Sequence, residues 1–510
     1  MRVGILDLIS KKPSKGLKAK VLKPGSASIM PQSVGVWAEQ MGCEVQYSTY
    51  TGFEDLDDLL PTDVDILFVC AFTQAAYLAY SVSNIFRQQG VVTVLGGPHA
   101  RSYATDARSY FDYVIGFADR DLIQDLLHDH PPHPGVGIQL SAAGQAEELP
   151  GVRERWRFIR HNLDKAPRWC RAVPMIGSLG CPYSCSFCVD SKIPYRPLPY
   201  AQLRDDLLFL RGQMKKPIIG WHDPNFGVRF DDFMTLIDDA GGPGAFRFVA
   251  ECTISQLREE RLEQLQRNNF VTLILGIESW FGFNDKVQQG RRSGMDKVAE
   301  VAEHIHLITR YIPYVQANFV FGLDADEGSQ PFELTKRFLD LAPAAIPAYS
   351  LFTSFGDSAE LDLQMQREGR VLDVPFHFLD AHSALNTRPK NYTYVELLEH
   401  MADLTRYSFL PRVAGRRFAT NNHSLLSLPR WAQLIRSKGV LGRGRVDFYT
   451  RTRQRVMADP ELQTFYAGQS RRLPAFFRNK IKTDLGHYYD HLPTGVLDYL
   501  EKDWPASGLN

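Results

Sequence analysis

Three cysteines, Cys181, Cys185 and Cys188, fall within the nine residues Gly180-Cys-Pro-Tyr-Ser-Cys-Ser-Phe-Cys188. A C-x3-C-x2-C run on one short loop sets three thiolates where they can ligate three irons of a single [4Fe–4S] cluster, which usually takes four cysteines. The iron left without a cysteine is then open to chelate a substrate or cosubstrate. A structural zinc loop is the competing reading, but it normally needs four ligands and a second knuckle, and no nearby Cys or His completes one. Cys43, Cys70, Cys170 and Cys252 sit in apolar or strand-like surroundings, where a buried thiol is the ordinary expectation.

The elements around this loop alternate. In the first 140 residues, apolar runs at Val3–Leu8, Val45–Thr49, Ile66–Cys70, Val92–Leu95 and Tyr113–Ile115 are separated by helix-like stretches. That pattern predicts a doubly wound parallel sheet, Rossmann-like, with ligands at the strand carboxyl ends. One such end carries Gly96 and Gly97, followed by His99. A tight turn with positive φ accounts for the glycines alone, and His99 can simply cap it. Residues 141–165 read as a linker. His128, His130 and His133 are interrupted by prolines, which favours exposed chain over a metal site.

From 166 to 400 six strand-like runs alternate with helical stretches, predicting six β/α units. Functional groups of parallel barrels gather at strand carboxyl ends. The second run ends Trp221-His-Asp-Pro-Asn-Phe226, offering Asp223 and Asn225, which could equally form an Asx turn. The third ends in Glu251, expensive to bury without a partner. The fourth ends Leu275-Gly-Ile-Glu-Ser279 with Glu278, and the fifth closes on Val320 and Gly322. His377, Asp380, His382 and Asn386 follow the sixth.

The cysteine spacing, with Phe187 before the third cysteine, resembles the signature of the radical S-adenosylmethionine (SAM) superfamily. The resemblance implies a partial (β/α)6 TIM-type barrel. It also implies an open iron that holds the amino and carboxylate groups of SAM, and reduction of SAM to a 5′-deoxyadenosyl radical. Asp223 and Asn225 stand where related chains have Asp-Asp-x-Phe, and Gly276-Ile-Glu-Ser279 is similar to the family's Gly-x-Glu-Ser. Glu278 is thereby implied as a SAM contact, with Glu251 beside it and the Val320–Gly322 backbone at the adenine edge. The first domain, with Gly96-Gly97-Pro-His99, resembles the cobalamin-binding domain that precedes many radical SAM cores, which implies cobalamin against the Gly-Gly turn and His99. The Asp-x-His-x-x-Gly cobalt-ligating motif is absent. The implied activity is cobalamin-assisted methyl transfer to an unactivated carbon of a small molecule, lipid or natural product. A radical cyclase, oxidase or C–C coupling enzyme without methyl transfer, or a non-catalytic iron–sulfur or corrinoid carrier, stays open. A one-electron reductant such as flavodoxin or ferredoxin is implied as partner.

The balance of 58 basic and 58 acidic residues over 510 gives no global field to attract nucleic acid. No apolar run approaches the roughly 20 residues needed to span a bilayer. The start reads as a first strand rather than a signal peptide, and few cysteines fit a reducing compartment, so a cytoplasmic protein is expected. Residues 401–510 predict a mainly helical domain dense in Arg and Lys, either a solvated cap or a surface for peripheral contact with anionic lipid.

Overall fold

The computed structural model describes residues 1–14, 27–129, 131, 135–166, 171–281, 293–420 and 440–497. The first unit contains β1 (Arg2–Leu8), α1 (Ile29–Gln40), β2 (Glu44–Tyr50), β3 (Ile66–Ala71), α2 (Ala76–Gln88), β4 (Val92–Gly96), α3 (Pro98–Ser102), α4 (Ala104–Ala107), β5 (Tyr113–Ile115), α5 (Arg120–His128) and β6 (Ile138–Leu140). Its six strands pair in the order β2-β1-β3-β4-β5-β6, all parallel. Helices on both faces bury nearly all of the central strands, and every residue of β1 after Arg2 is buried. That is why these strands read as unbroken apolar runs rather than alternating ones. Strand order reverses between β1 and β3, the switch point at which doubly wound sheets leave a crevice. The edge strand β6 is not apparent in the sequence, because its three residues, two of them exposed, are too short a run to show a pattern.

The stretch 141–165, read as a linker, holds a helix, α6 (Val152–Lys165). Its buried face, including Val152, Phe158, Ile159 and Leu163, follows helical spacing. Arg155 donates to Gln32 Oε1 of α1 at 2.8 Å, while Asp206 accepts from the Val152 N–H at 2.6 Å. The helix therefore bolts the first unit to α7 (Tyr200–Gln213) of the second.

The second unit runs β7 (Ala172–Met175), the short antiparallel pair β8 (Ser178–Leu179) and β9 (Arg196–Pro197), α7, β10 (Ile218–Trp221), α8 (Phe230–Asp239), β11 (Arg247–Cys252), α9 (Glu259–Arg267), β12 (Phe270–Glu278), α10 (Met295–Tyr311), β13 (Tyr314–Phe321), α11 (Gln330–Leu341), β14 (Ile346–Leu351) and α12 (Glu360–Arg367). Six parallel strands, β7-β10-β11-β12-β13-β14, form an incomplete (β/α)6 barrel. Along β11, β12 and β13 burial alternates. Phe248, Ala250, Leu273, Leu275, Phe319 and Phe321 are buried in the core. Val249, Glu251, Ile274, Gly276, Asn318 and Val320 take the opposite face.

The tail is helical: α13 (Tyr394–Ser408), α14 (Pro411–Thr420), α15 (Val440–Ala458), α16 (Pro460–Tyr466) and α17 (Ala475–Leu485). Several of its basic groups are committed to the fold. Arg445 donates to the Tyr349 carbonyl at 3.3 Å, Arg453 pairs with Glu399 at 2.9 Å, and Arg455 lies over the Phe476 ring at 4.3 Å. Beyond α17 the chain returns to the first unit, where Asn84 donates to the His491 carbonyl at 2.9 Å.

Candidate active site at the domain seam

The cysteine loop leaves the end of β8, and Gly180 (φ 68°) makes the turn. A side chain there would collide with the Ile193 and Pro194 carbonyls, so the loop can fold over itself only with glycine at this point. Cys181 and Cys185 are buried and Cys188 is half-buried, with the Cys188 N–H donating to the Cys185 carbonyl at 3.1 Å. Phe187 packs on a small apolar cluster of Leu323, Phe352, Leu361 and Met365, which Val320 also touches. The Leu361 N–H donates to the Ser186 carbonyl at 2.8 Å. The aromatic residue of the motif thus docks the loop onto the ends of β13 and β14. Among the described residues no three His, Cys, Asp or Glu side chains already converge on a metal. What fits a [4Fe–4S] cluster is the donor set, three soft thiols on one loop with no fourth ligand, rather than a preformed cage. Cys252 is buried at the end of β11, where burial pushes its thiol up to about 12. Cys170 lies outside the described residues.

Glu278 ends β12 in the left-handed region, at φ 62°. The Ser279 N–H donates to the Ile277 carbonyl at 2.9 Å, closing a three-residue turn around it, a strained arrangement for a residue with a Cβ. A side chain at Gly276 would run into Glu278 Oε1, so the Gly-x-Glu spacing lets the carboxylate fold back across its own strand. Lys297 of α10, buried, donates to the Ser279 carbonyl at 2.6 Å. Burial lowers this lysine, and the charges of Glu278 and Glu300 act to raise it. Lys297 has no sequence signature beyond its place in the first turn of a helix. Gly322 (φ 90°) and Leu323 donate their N–H groups to Asp326 Oδ2 at 2.9 and 3.1 Å, and burial pushes Asp326 up to about 7.

Other expected contacts have different partners. Asp223 is buried and accepts from the Gly177 N–H at 2.6 Å and from the Ser178 hydroxyl; burial pushes it up to about 6. Asn225 donates to Thr253 Oγ1 at 2.8 Å and accepts from the Gly227 and Thr253 N–H groups at 3.2 Å. Both side chains pin strand ends together in this fold. Glu251 is exposed, so it bears no burial cost. Asn386 is bound to both backbone groups of Ser354, at 3.0 and 2.7 Å. His377 faces Asp484 at 3.0 Å, and Asp380 takes the Lys11 ammonium at 2.9 Å. The segment from 377 to 386 ties three parts of the chain together. His382 Nδ1 is buried there without a hydrogen bond among described residues.

The carboxyl ends of the first sheet and the cysteine loop face one cavity of about 610 Å³, within the range of ligand sites. On one side it is lined by Ile9, Cys70, Phe72, Gly96 and Gly97, and on the other by Ile176, Gly180, Ile193 and Pro224. Gly97 (φ 93°) lies against Cys70 Sγ, where a Cβ would come within 2.8 Å. A Cβ on Gly96 would meet nothing within 4 Å, so this glycine leaves the floor of the cavity open. Such a floor fits a broad, flat ligand such as a corrinoid. His99 lines neither this cavity nor its neighbour. It is buried among Tyr80, Tyr103 and Phe376, with Nε2 2.6 Å from the Tyr80 hydroxyl, and burial lowers it to about 3. In this fold it is a core histidine. A second cavity of about 740 Å³ adjoins the first through Phe72, Pro98, Arg101 and Asp190, and reaches Asp357, Ser358 and Asp380.

No protein-family model matches the chain. The fold is that of solved radical SAM enzymes with a cobalamin-binding domain. The chain is 13% identical to the radical SAM methyltransferase TsrM of Kitasatospora setae, with a TM-score of 0.56 over 89% of this chain and 100% of that one. A second TsrM structure carries cobalamin and a [4Fe–4S] cluster. The cobalamin-dependent radical enzyme OxsB is 12% identical, with a TM-score of 0.51 over 98% of this chain and 83% of its own. By sequence the chain is 21% identical to bacteriochlorophyllide d C-12(1)-methyltransferase of Chlorobaculum tepidum, over 69% of this chain and 77% of that protein. It is also 27% identical to 2-(S-pantetheinyl)-carbapenam-3-carboxylate methyltransferase of Streptantibioticus cattleyicolor, over 25% of this chain and 22% of that protein.

Proposed function

We propose that the chain is a radical SAM methyltransferase that works with cobalamin. The observation that carries this reading is the shared cavity: Gly96 and Gly97 line one wall, and Gly180 of the cysteine loop lines the other. Cys181, Cys185 and Cys188 would hold the [4Fe–4S] cluster, and residues around Gly96 and Gly97 the corrinoid. When bound, the cluster supplies an electron and an open coordination site for SAM, and the corrinoid a carrier for its methyl group.

The chain's own residues bind, orient and exclude water. The turn at Glu278 holds a carboxylate at the end of β12, where it can accept hydrogen bonds from the amino or ribose groups of SAM. Val320 and Gly322 offer a backbone edge to the adenine, and Glu251 stands on the same face two strands away. Phe187, packed on its apolar cluster, anchors the cysteine loop to the strand ends, and a closed site would confine reactive species. The acceptor is an unactivated carbon of a small molecule, lipid or natural product, and the electron comes from a donor such as flavodoxin or ferredoxin. A relative named for methylating a bacteriochlorophyllide supports methyl transfer over cyclisation or coupling.

Protein loaded anaerobically with iron and cobalamin, then given methyl-labelled SAM and a one-electron reductant, tests the proposal. The expected products are 5′-deoxyadenosine, S-adenosylhomocysteine and label on the corrinoid. A loaded protein that forms none of them contradicts it.

A further inference from the structure

The first cavity, at the seam, is mostly apolar, and Arg101 is the only Lys or Arg among the described residues that line it. The same residue also lines the second, more polar cavity, so it stands where the two meet. It lies four residues beyond Gly97, on α3, and its N–H donates to the Gly97 carbonyl at 3.3 Å, which ties its position to the Gly-Gly turn. Among the described residues no carboxylate pairs with its side chain. Asp190 lines both cavities too, but it comes from the cysteine loop and makes no ion pair with Arg101. The other cation of the second cavity, Lys192, donates to the Asp357 carbonyl at 2.5 Å.

An apolar cavity with a single guanidinium at its edge suits a large, largely uncharged ligand that carries one anionic group. A cobalamin matches this description: its peripheral amides are neutral, and outside the macrocycle its anion is the phosphodiester of the nucleotide tail. We infer that Arg101 binds that phosphodiester, and that the tail of the corrinoid leaves the first cavity past α3 into the second. This rests on the cobalamin reading above. Arginine suits the task because its planar fork gives charge-assisted, paired hydrogen bonds to phosphate oxygens.

The test is equilibrium binding of hydroxocobalamin, cobinamide phosphate and cobinamide to the full chain, wild type and Arg101→Gln, read from the corrin absorbance. Cobinamide lacks the phosphate, and cobinamide phosphate keeps it without the base. The inference predicts that R101Q weakens cobalamin and cobinamide phosphate about tenfold, the scale of a lost charge-assisted hydrogen bond. Cobinamide affinity stays unchanged, and Arg101→Lys recovers part of the loss. A variant that weakens all three corrinoids alike, or none, overturns the inference and leaves the cobalamin reading standing. A wild type that binds no corrinoid overturns both. An unchanged melting temperature in R101Q, expected of an exposed side chain, separates lost contact from lost fold.

Discussion

Glu278 shows how much a single residue can be asked to do by its surroundings. Its φ of 62° would be released in most sequences, yet here the Ser279 N–H, the absent side chain of Gly276 and the Lys297 ammonium all hold the turn. A strained backbone that persists under this much constraint points to function. Glu278→Gln should raise the SAM dissociation constant about tenfold, by loss of a charge-assisted hydrogen bond, while bound iron is unchanged. Loss of iron together with SAM binding would show that the residue supports the loop instead. Lys297→Met should also weaken SAM, through the turn, and lower stability by about 1–3 kcal/mol because the Ser279 carbonyl is left buried without its donor. Equal SAM affinity in wild type and K297M would show that the lysine only packs. The sequence exposed Glu278 through its Gly-x-Glu spacing. It could not expose Lys297, whose contact is made between a helix and a strand end eighteen positions away.

At the scale of elements, the two glycines after β4 have separate duties that the sequence presents as one motif. Gly97 is required by its positive φ and by its close approach to Cys70 Sγ, whereas a Cβ on Gly96 would meet nothing in the fold and would stand at the cavity wall. Gly97→Ala should therefore cost about 1–3 kcal/mol from its positive-φ, extended-ψ conformation alone. Gly96→Leu should leave the melting temperature nearly unchanged but abolish corrinoid binding. Equal destabilisation by both would refute this division. Strand and helix alternation was readable because buried parallel strands are apolar runs and the helices between them keep a 3.6 period. For Asp223 and Asn225 the sequence leaves two readings open, because an Asx residue at a strand end offers the same oxygens to a ligand or to a backbone N–H. Only the fold shows that Gly177, Gly227 and Thr253 take them. The helix at 152–165 was hidden by its many charges, although Trp156, Ile159 and Leu163 keep the helical spacing.

Across the whole molecule, the seam depends on contacts between distant parts of the chain. Gly356 (φ 64°) allows the turn after β14 to approach Ser102 of α3, where a side chain would collide, and Ser102 and Ser358 share a hydrogen bond at 2.8 Å. Lys11 reaches the His377 carbonyl at 2.7 Å, and the tail supplies Asp484. Burial lowers His377 to about 4, against the opposing effect of Asp484. Its native state therefore favours the neutral ring, so its contribution to stability is present above the unfolded value near 6.5. That contribution is lost as pH falls toward 4, by about 1.4 kcal/mol per pH unit at most. The melting temperature of His377→Gln should accordingly depend less on pH between 6.5 and 4 than that of the wild type, and parallel curves would contradict this. Among the described residues no helix is long and apolar enough to cross a membrane.

The central claim is that one cavity joins an iron–sulfur loop to a corrinoid floor. The most direct test is iron and corrinoid per chain in protein expressed with cobalamin and purified without oxygen, for wild type and Cys185→Ala. The account predicts about four irons and about one corrinoid in the wild type, and a variant that loses the iron and keeps the corrinoid. Undiminished iron in the variant, or an iron-loaded wild type without corrinoid, would contradict it.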